Sequence, residues 1–134
     1  LAFEALFEGP VTPNPDAVFS AMQFSTEFDG LKPVNPKTVF EAPIATLYGG
    51  FDYNNTIPGV QWTALWYRDG QLVCYETQPW NGGTGGSGGY TECTNPIGGW
   101  LAGTYEVQIF MGYEWKVIGR FVVLGDLSTP TPTP

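Results

Sequence analysis

The chain has no histidine, only five lysines and arginines against thirteen aspartates and glutamates, and just two cysteines in 134 residues. Each shortage excludes a kind of chemistry. Without an imidazole no Ser–His or Cys–His nucleophile pair can form, and neither can a mixed cysteine–histidine zinc site. A net charge of −8 leaves no basic face for a phosphate backbone or an anionic lipid surface. Nucleic acid is therefore not an expected partner, and no apolar run is long enough to predict membrane insertion as a helix. The helix-favouring Lys, Arg and Glu are scarce, while 18 Gly, 12 Pro and 16% aromatics favour turns and strands. The chain starts at Leu1 without an initiator Met or a secretory leader, so it is expected to be a processed chain or a fragment of a longer one.

The two cysteines that are present, Cys74 and Cys93, enclose the run WNGGTGGSGGY at residues 80–90. Closing a loop of this size stabilises a fold by about 3 kcal/mol in the chain-entropy picture. A thiol nucleophile or metal ligand would need partners that this composition lacks. A disulfide is the expected state, and it implies an oxidising compartment.

Three zones follow along the chain. Residues 1–15, LAFEALFEGPVTPNP, alternate as an extended strand would, with Leu1, Phe3, Ala5 and Phe7 on one face and Glu4 and Glu8 on the other beside Ala2 and Leu6. A short helix is the competing reading. Pro10, Pro13 and Pro15 then make a stiff spacer. Residues 16–125 form the body, and residues 126–134, DLSTPTPTP, a linker or tail.

Within the body, residues 18–28 alternate with Met22, Phe24, Thr26 and Phe28 on one side, and residues 39–53 hold one or two strands with Pro43 and Gly49-Gly50 as kinks or bulges. Val60, Trp62, Ala64 and Trp66 share a face. Asp69-Gly70 is a two-residue hairpin turn, and residues 71–76 return. A short strand is predicted over residues 89–94. A final hairpin places Tyr105, Val107, Ile109 and Met111 inward, answered by Trp115, Val117, Gly119, Phe121 and Val123. Seven or eight strands at this spacing predict an all-β, antiparallel two-sheet sandwich.

The segments WTALWYRDGQLV (62–73), LAGTYEVQIF (101–110) and IGRFVV (118–123) together resemble immunoglobulin-like modules of bacterial extracellular proteins, over residues 19–124. The resemblance implies an immunoglobulin-like sandwich with Tyr105 at the edge of the core, and it makes the Thr-Pro repeat similar to linkers on bacterial surface proteins. Cys74 and Cys93 lack the wide spacing of the antibody inter-sheet bridge and are read as a local tie.

Reaction chemistry is sparse. Glu106 with Glu114, or Asp52 with Glu76, would be the candidate carboxylate pairs for glycosidic work, but solvated strand faces account for them, and no enzymatic activity or cofactor is expected. GGTGGSGG lacks the lysine and following helix of a phosphate loop. Asp52 to Asn55 offers oxygen ligands, yet a plain turn suffices and no metal is expected. Asn54-Asn55-Thr56 is an N-glycosylation acceptor sequence, and Thr129, Thr131 and Thr133 are candidate O-glycosylation positions.

Trp80, Tyr90, Trp100 and Tyr113 fall in loops or turns, where they either fold over the sandwich ends or meet a ligand or partner. Together these features predict an extracellular or cell-surface structural subunit of a filament, pilus or surface layer. Its partners are other copies of itself, joined by strand addition through Leu1, Phe3, Ala5 and Phe7. The alternative is a carbohydrate-binding or adhesive module of a larger protein, with glycans as partners.

Overall fold

A computed structural model describes residues 6–125. Nine strands follow one another: β1 (Val18–Phe19), β2 (Gln23–Ser25), β3 (Val39–Glu41), β4 (Leu47–Asn54), β5 (Gln61–Arg68), β6 (Gln71–Pro79), β7 (Gly85–Cys93), β8 (Gly103–Met111) and β9 (Glu114–Leu124). They form two facing sheets. In the narrower one β1 and β2 lie in succession along one side of β4, and β7 runs along the other. The wider one has the order β3-β9-β8-β5-β6. All pairings are antiparallel except β3 with β9. The result is the expected all-β two-sheet sandwich, with nine strands.

Local chemistry accounts for the wide sheet. Asp69 and Gly70 both have positive φ, 49° and 85°. Such a turn matches the twist of the strands it joins and sets β6 antiparallel to β5. Along β5 the alternation buries Trp62, Ala64 and Trp66, and along β8 it buries Tyr105, Val107, Ile109 and Met111. These side chains meet Phe24 and Phe51 from the narrow sheet in one core cluster. Trp66 is the hub. Its ring lies 6.4 Å from Phe24 and 6.0 Å from Phe121, and its Nε1 donates across the sandwich to Thr91 Oγ1 at 3.1 Å. Tyr105 stacks on Phe121 at 5.0 Å and donates its hydroxyl to the Leu101 carbonyl at 2.6 Å. Each such large apolar group contributes roughly 1.5–3 kcal/mol by leaving water.

Several details depart from the periodicity. The strand expected over residues 18–28 is two short ones, because the Ser20 backbone N–H bonds the Asp52 carbonyl while its hydroxyl accepts from Asp52 N–H. Phe28 then turns to the outer face, 5.8 Å from Tyr48 and 4.5 Å from Tyr90. Gly49 and Gly50 are neither kinks nor bulges but close-approach points in mid-strand. A Cβ there would lie 2.7 Å from Met22 Cε and 2.5 Å from Pro33 Cδ respectively.

β7 starts four residues earlier than expected, inside the glycine run, because β4 supplies a ladder down to Asn54↔Gly85. Trp115 faces outward at 55% exposure. A register shift pairs Phe110 with Trp115 but Ile109 with Val117, so Lys116 is an extra residue and the strand's alternation flips there. The Cys74–Cys93 disulfide forms, and it joins β6 to β7 and thus one sheet to the other.

Two measurements probe this framework. Tyr105→Phe should lower unfolding free energy by about 1 kcal/mol in urea titration, since the hydroxyl's bond to the Leu101 carbonyl is lost. Replacing both cysteines by serine should cost about 3 kcal/mol in the same assay, with the native far-ultraviolet spectrum retained.

Candidate functional site

Three surface regions carry the functional potential. The first is a slot where the edge strands of the two sheets part. The disulfide clamps β6 to β7 at one end. Beyond it, Glu76 and Gln78 stand opposite Ala64 and Trp62 in register, on the inward face of β6. Across from them, β7 lines the slot with Gly88 and Gly89, which bring no side-chain volume, and with Tyr90 and Glu92. The unfilled space is about 330 Å³, with Trp62, Trp80 and Tyr53 at its back and Asn81 and Glu92 among its polar groups.

The back wall is rigid. Trp80 exchanges backbone bonds with Val60 and Gly59, and its Nε1 donates to the Gly83 carbonyl at 2.9 Å. The Tyr53 hydroxyl donates to Gly82 and the Thr56 hydroxyl to Gly83, both at 2.7 Å. Glu76 Oε1 accepts from Thr91 Oγ1 at 2.6 Å and from the Glu92 N–H at 3.3 Å. Burial pushes the Glu76 carboxyl above the ordinary glutamate range. The nearby Glu92 charge pushes the same way, and the two hydrogen bonds pull partly back.

The second region is the outer side of β9. This strand has eleven residues, but β3 covers only Val122, Val123 and Leu124. Val122 N–H also bonds the Thr38 carbonyl at 2.8 Å. From Trp115 to Phe121, no strand pairs with β9 on the side away from β8 among the described residues.

The third region is where the N-terminal segment lands. Residues 6–7 form a short helical turn rather than a strand. The Leu6 carbonyl accepts from the hydroxyls of Thr63 at 2.7 Å and Thr77 at 2.6 Å. Phe7 is only 7% exposed and packs 5.0 Å from Phe110 and 5.8 Å from Tyr113, whose hydroxyl donates to Glu8. Phe7 thus sits on its own sandwich. The other three expected interface residues, Leu1, Phe3 and Ala5, lie outside the described residues.

The four aromatics singled out from sequence do not form one platform. Trp80 is 5% exposed and belongs to the core cluster. Trp100 is half-buried against Trp66 and Tyr105, with its Nε1 donating to the Ala45 carbonyl at 3.3 Å. Both therefore fold over the sandwich instead of standing out from it. Tyr90 lies on the outer face of the narrow sheet against Phe28, and Tyr113 is 58% exposed at the β8–β9 turn beside Phe7.

The suggested carboxylate pairs are committed elsewhere. Glu106 bonds Arg120 at 3.1 Å and Glu114 bonds Lys116 at 3.0 Å, at separate positions along the hairpin. Asp52 is on β4 beside Ser20, whereas Glu76 is on β6. Asn54 is exposed, while Thr56 of the same acceptor sequence is buried. Thr129, Thr131 and Thr133 lie outside the described residues. Among the described residues, no group of three or more acidic or cysteine side chains is placed to hold a metal, and no helix is long and apolar enough to cross a membrane.

Gln78, Glu92 and the exposed Trp115 were not anticipated from sequence. The signal for Gln78 was the glycine run across the slot on β7, and Glu92 follows that run on the same strand. No protein-family model matches this chain, and no curated protein is significantly similar to it.

The Glu76 environment gives a pH test. A carboxyl whose proton is held more tightly in the folded than the unfolded chain makes stability fall as pH rises through the window above the ordinary glutamate range. Glu76→Gln removes that titration. Its stability relative to the parent, from urea midpoints, should therefore increase from pH about 4 to about 7. A constant difference would show that Glu76 is not the group responsible.

Proposed function

We propose that this chain is a non-catalytic structural module of an extracellular or cell-surface assembly, in which a strand from another copy extends the wide sheet along β9. The observation that carries this reading is the mismatch between the eleven residues of β9 and the three that β3 covers. An unpaired row of backbone donors and acceptors is a template for strand addition. The side chains along it suit a partner, with Trp115 exposed and Val117 and Ile118 half-buried.

The disulfide agrees with an oxidising, extracellular setting. The alternating LAFEA that precedes Leu6 supplies a donor of suitable character. Five residues span up to about 17 Å when extended, and Phe7 anchors their root to its own sandwich. A donor on one side and an acceptor edge on another make a contact that propagates without closing, which yields fibres. A binding module built on loop aromatics is less well supported, because Trp80 and Trp100 are turned inward.

Deleting residues 1–5 tests the reading while keeping the Leu6 and Phe7 contacts. The full chain should sediment as polymers, and the truncated chain as a monomer with an unchanged circular dichroism spectrum. Ile118→Lys on the acceptor edge should likewise block assembly. Polymers formed equally by the truncated chain, or a full chain that remains monomeric, would overturn strand donation.

A further inference from the structure

We propose that the slot between the β6 and β7 edges is a binding site for a neutral saccharide unit, independent of strand addition at β9. Its existence follows from composition. In a closed sandwich the side chains of both edge strands fill the gap between sheets, but here the part of β7 that lines the slot has glycine at residues 88 and 89, and Phe51 packs so close to Gly89 that no side chain fits there. The space left, about 330 Å³, falls at the small end of ligand pockets and suits one or two ring-sized groups.

The lining decides the ligand class. At the back, Trp62 and Trp80 offer apolar ring edges, and Trp80 is locked by bonds to Val60, Gly59 and Gly83. The site is thus preorganised, which reduces the ordering cost of binding. The polar groups are of both kinds. Glu76 and Glu92 only accept hydrogen bonds, whereas the Gln78 and Asn81 carboxamides donate as well as accept. Glu76 spends Oε1 on Thr91 and Glu92, while its Oε2 and both carboxamides have no hydrogen bond among the described residues. No buried polar side-chain atom among the described residues lacks a partner, so these groups reach solvent and are available to a ligand.

A sugar matches this set, since each hydroxyl both donates and accepts and the ring's C–H face tolerates an indole edge. Anionic ligands meet two carboxylates and a net charge of −8. A small cation would satisfy the acceptors and leave the carboxamide donors unused. An added peptide strand is excluded from the gap, because the disulfide and the Glu76 bonds to Thr91 and Glu92 already cross it.

The test is a nitrogen-15 NMR titration of the full-length chain carrying Ile118→Lys, which keeps it monomeric, with chitotriose, cellotriose and maltotriose, and with ethylammonium as the cationic comparison. At least one trisaccharide should shift the Trp80 indole and the Gly88 and Gly89 amides saturably while leaving Gly112 and Tyr113 unmoved. Glu76→Gln and Gln78→Ala should each weaken that binding about tenfold. Gln78→Trp, at an exposed edge position that fills the slot, should abolish it even if Glu76→Gln fails to fold. The assignment is overturned if no trisaccharide moves these resonances, if ethylammonium alone does, or if the shifts survive in Gln78→Trp. The titrated variant carries a lysine on the β9 edge, on the flank opposite the slot, so the result stands or falls apart from strand donation.

Discussion

Two sheets of unequal width meet on one aromatic seam, and much of the rest of the molecule follows from that mismatch. Trp66 stands at the seam, touching Phe24 from the narrow sheet and Phe121 from its own, and tied by its indole N–H to Thr91. The narrow sheet is only three ribbons wide, with β1 and β2 sharing one flank of β4. The wide sheet has five strands. A three-ribbon layer cannot cover a five-strand layer evenly, so its edges end where β9 and β6 still need partners.

The two flanks resolve this differently. On the β6–β7 side a covalent bridge and a carboxylate span the gap, leaving a polar slot with an indole back wall. On the β9 side a short parallel strand covers one end, and the remaining backbone pairs with no further strand on that side among the described residues. The first solution creates a bounded volume suited to a small molecule. The second leaves a row of backbone groups suited to a strand. The proposed binding and the proposed assembly thus fall on opposite flanks, where neither needs to disturb the core.

The partly buried Glu76 illustrates how the slot is held. Its carboxylate crosses to a hydroxyl and a backbone N–H of β7, stitching the sheets at the point where glycines provide nothing to pack. That stitch comes with a desolvation cost, visible as a raised pKa. The hydroxyls of Thr63 and Thr77 play a similar part on the outer face, where they fix the Leu6 carbonyl and so direct the N-terminal segment onto its own sheet.

The amino-acid order alone set the terminal hairpin and the Trp62–Ala64–Trp66 face through alternation, the Asp69-Gly70 turn through its dipeptide, and the disulfide through the poverty of alternatives for two cysteines. It also supplied the all-β class. It misplaced Trp115, whose direction is set by an extra residue in β9 that has meaning only against β8. It left Trp80 open between folding over the sandwich and meeting a partner, because the side chains that bury it, Phe19, Phe51, Tyr53 and Trp62, come from distant stretches. Only the tertiary structure decided which strands became edges, since an edge is defined by what fails to pair across the whole sheet. That decision created both the slot and the open flank of β9.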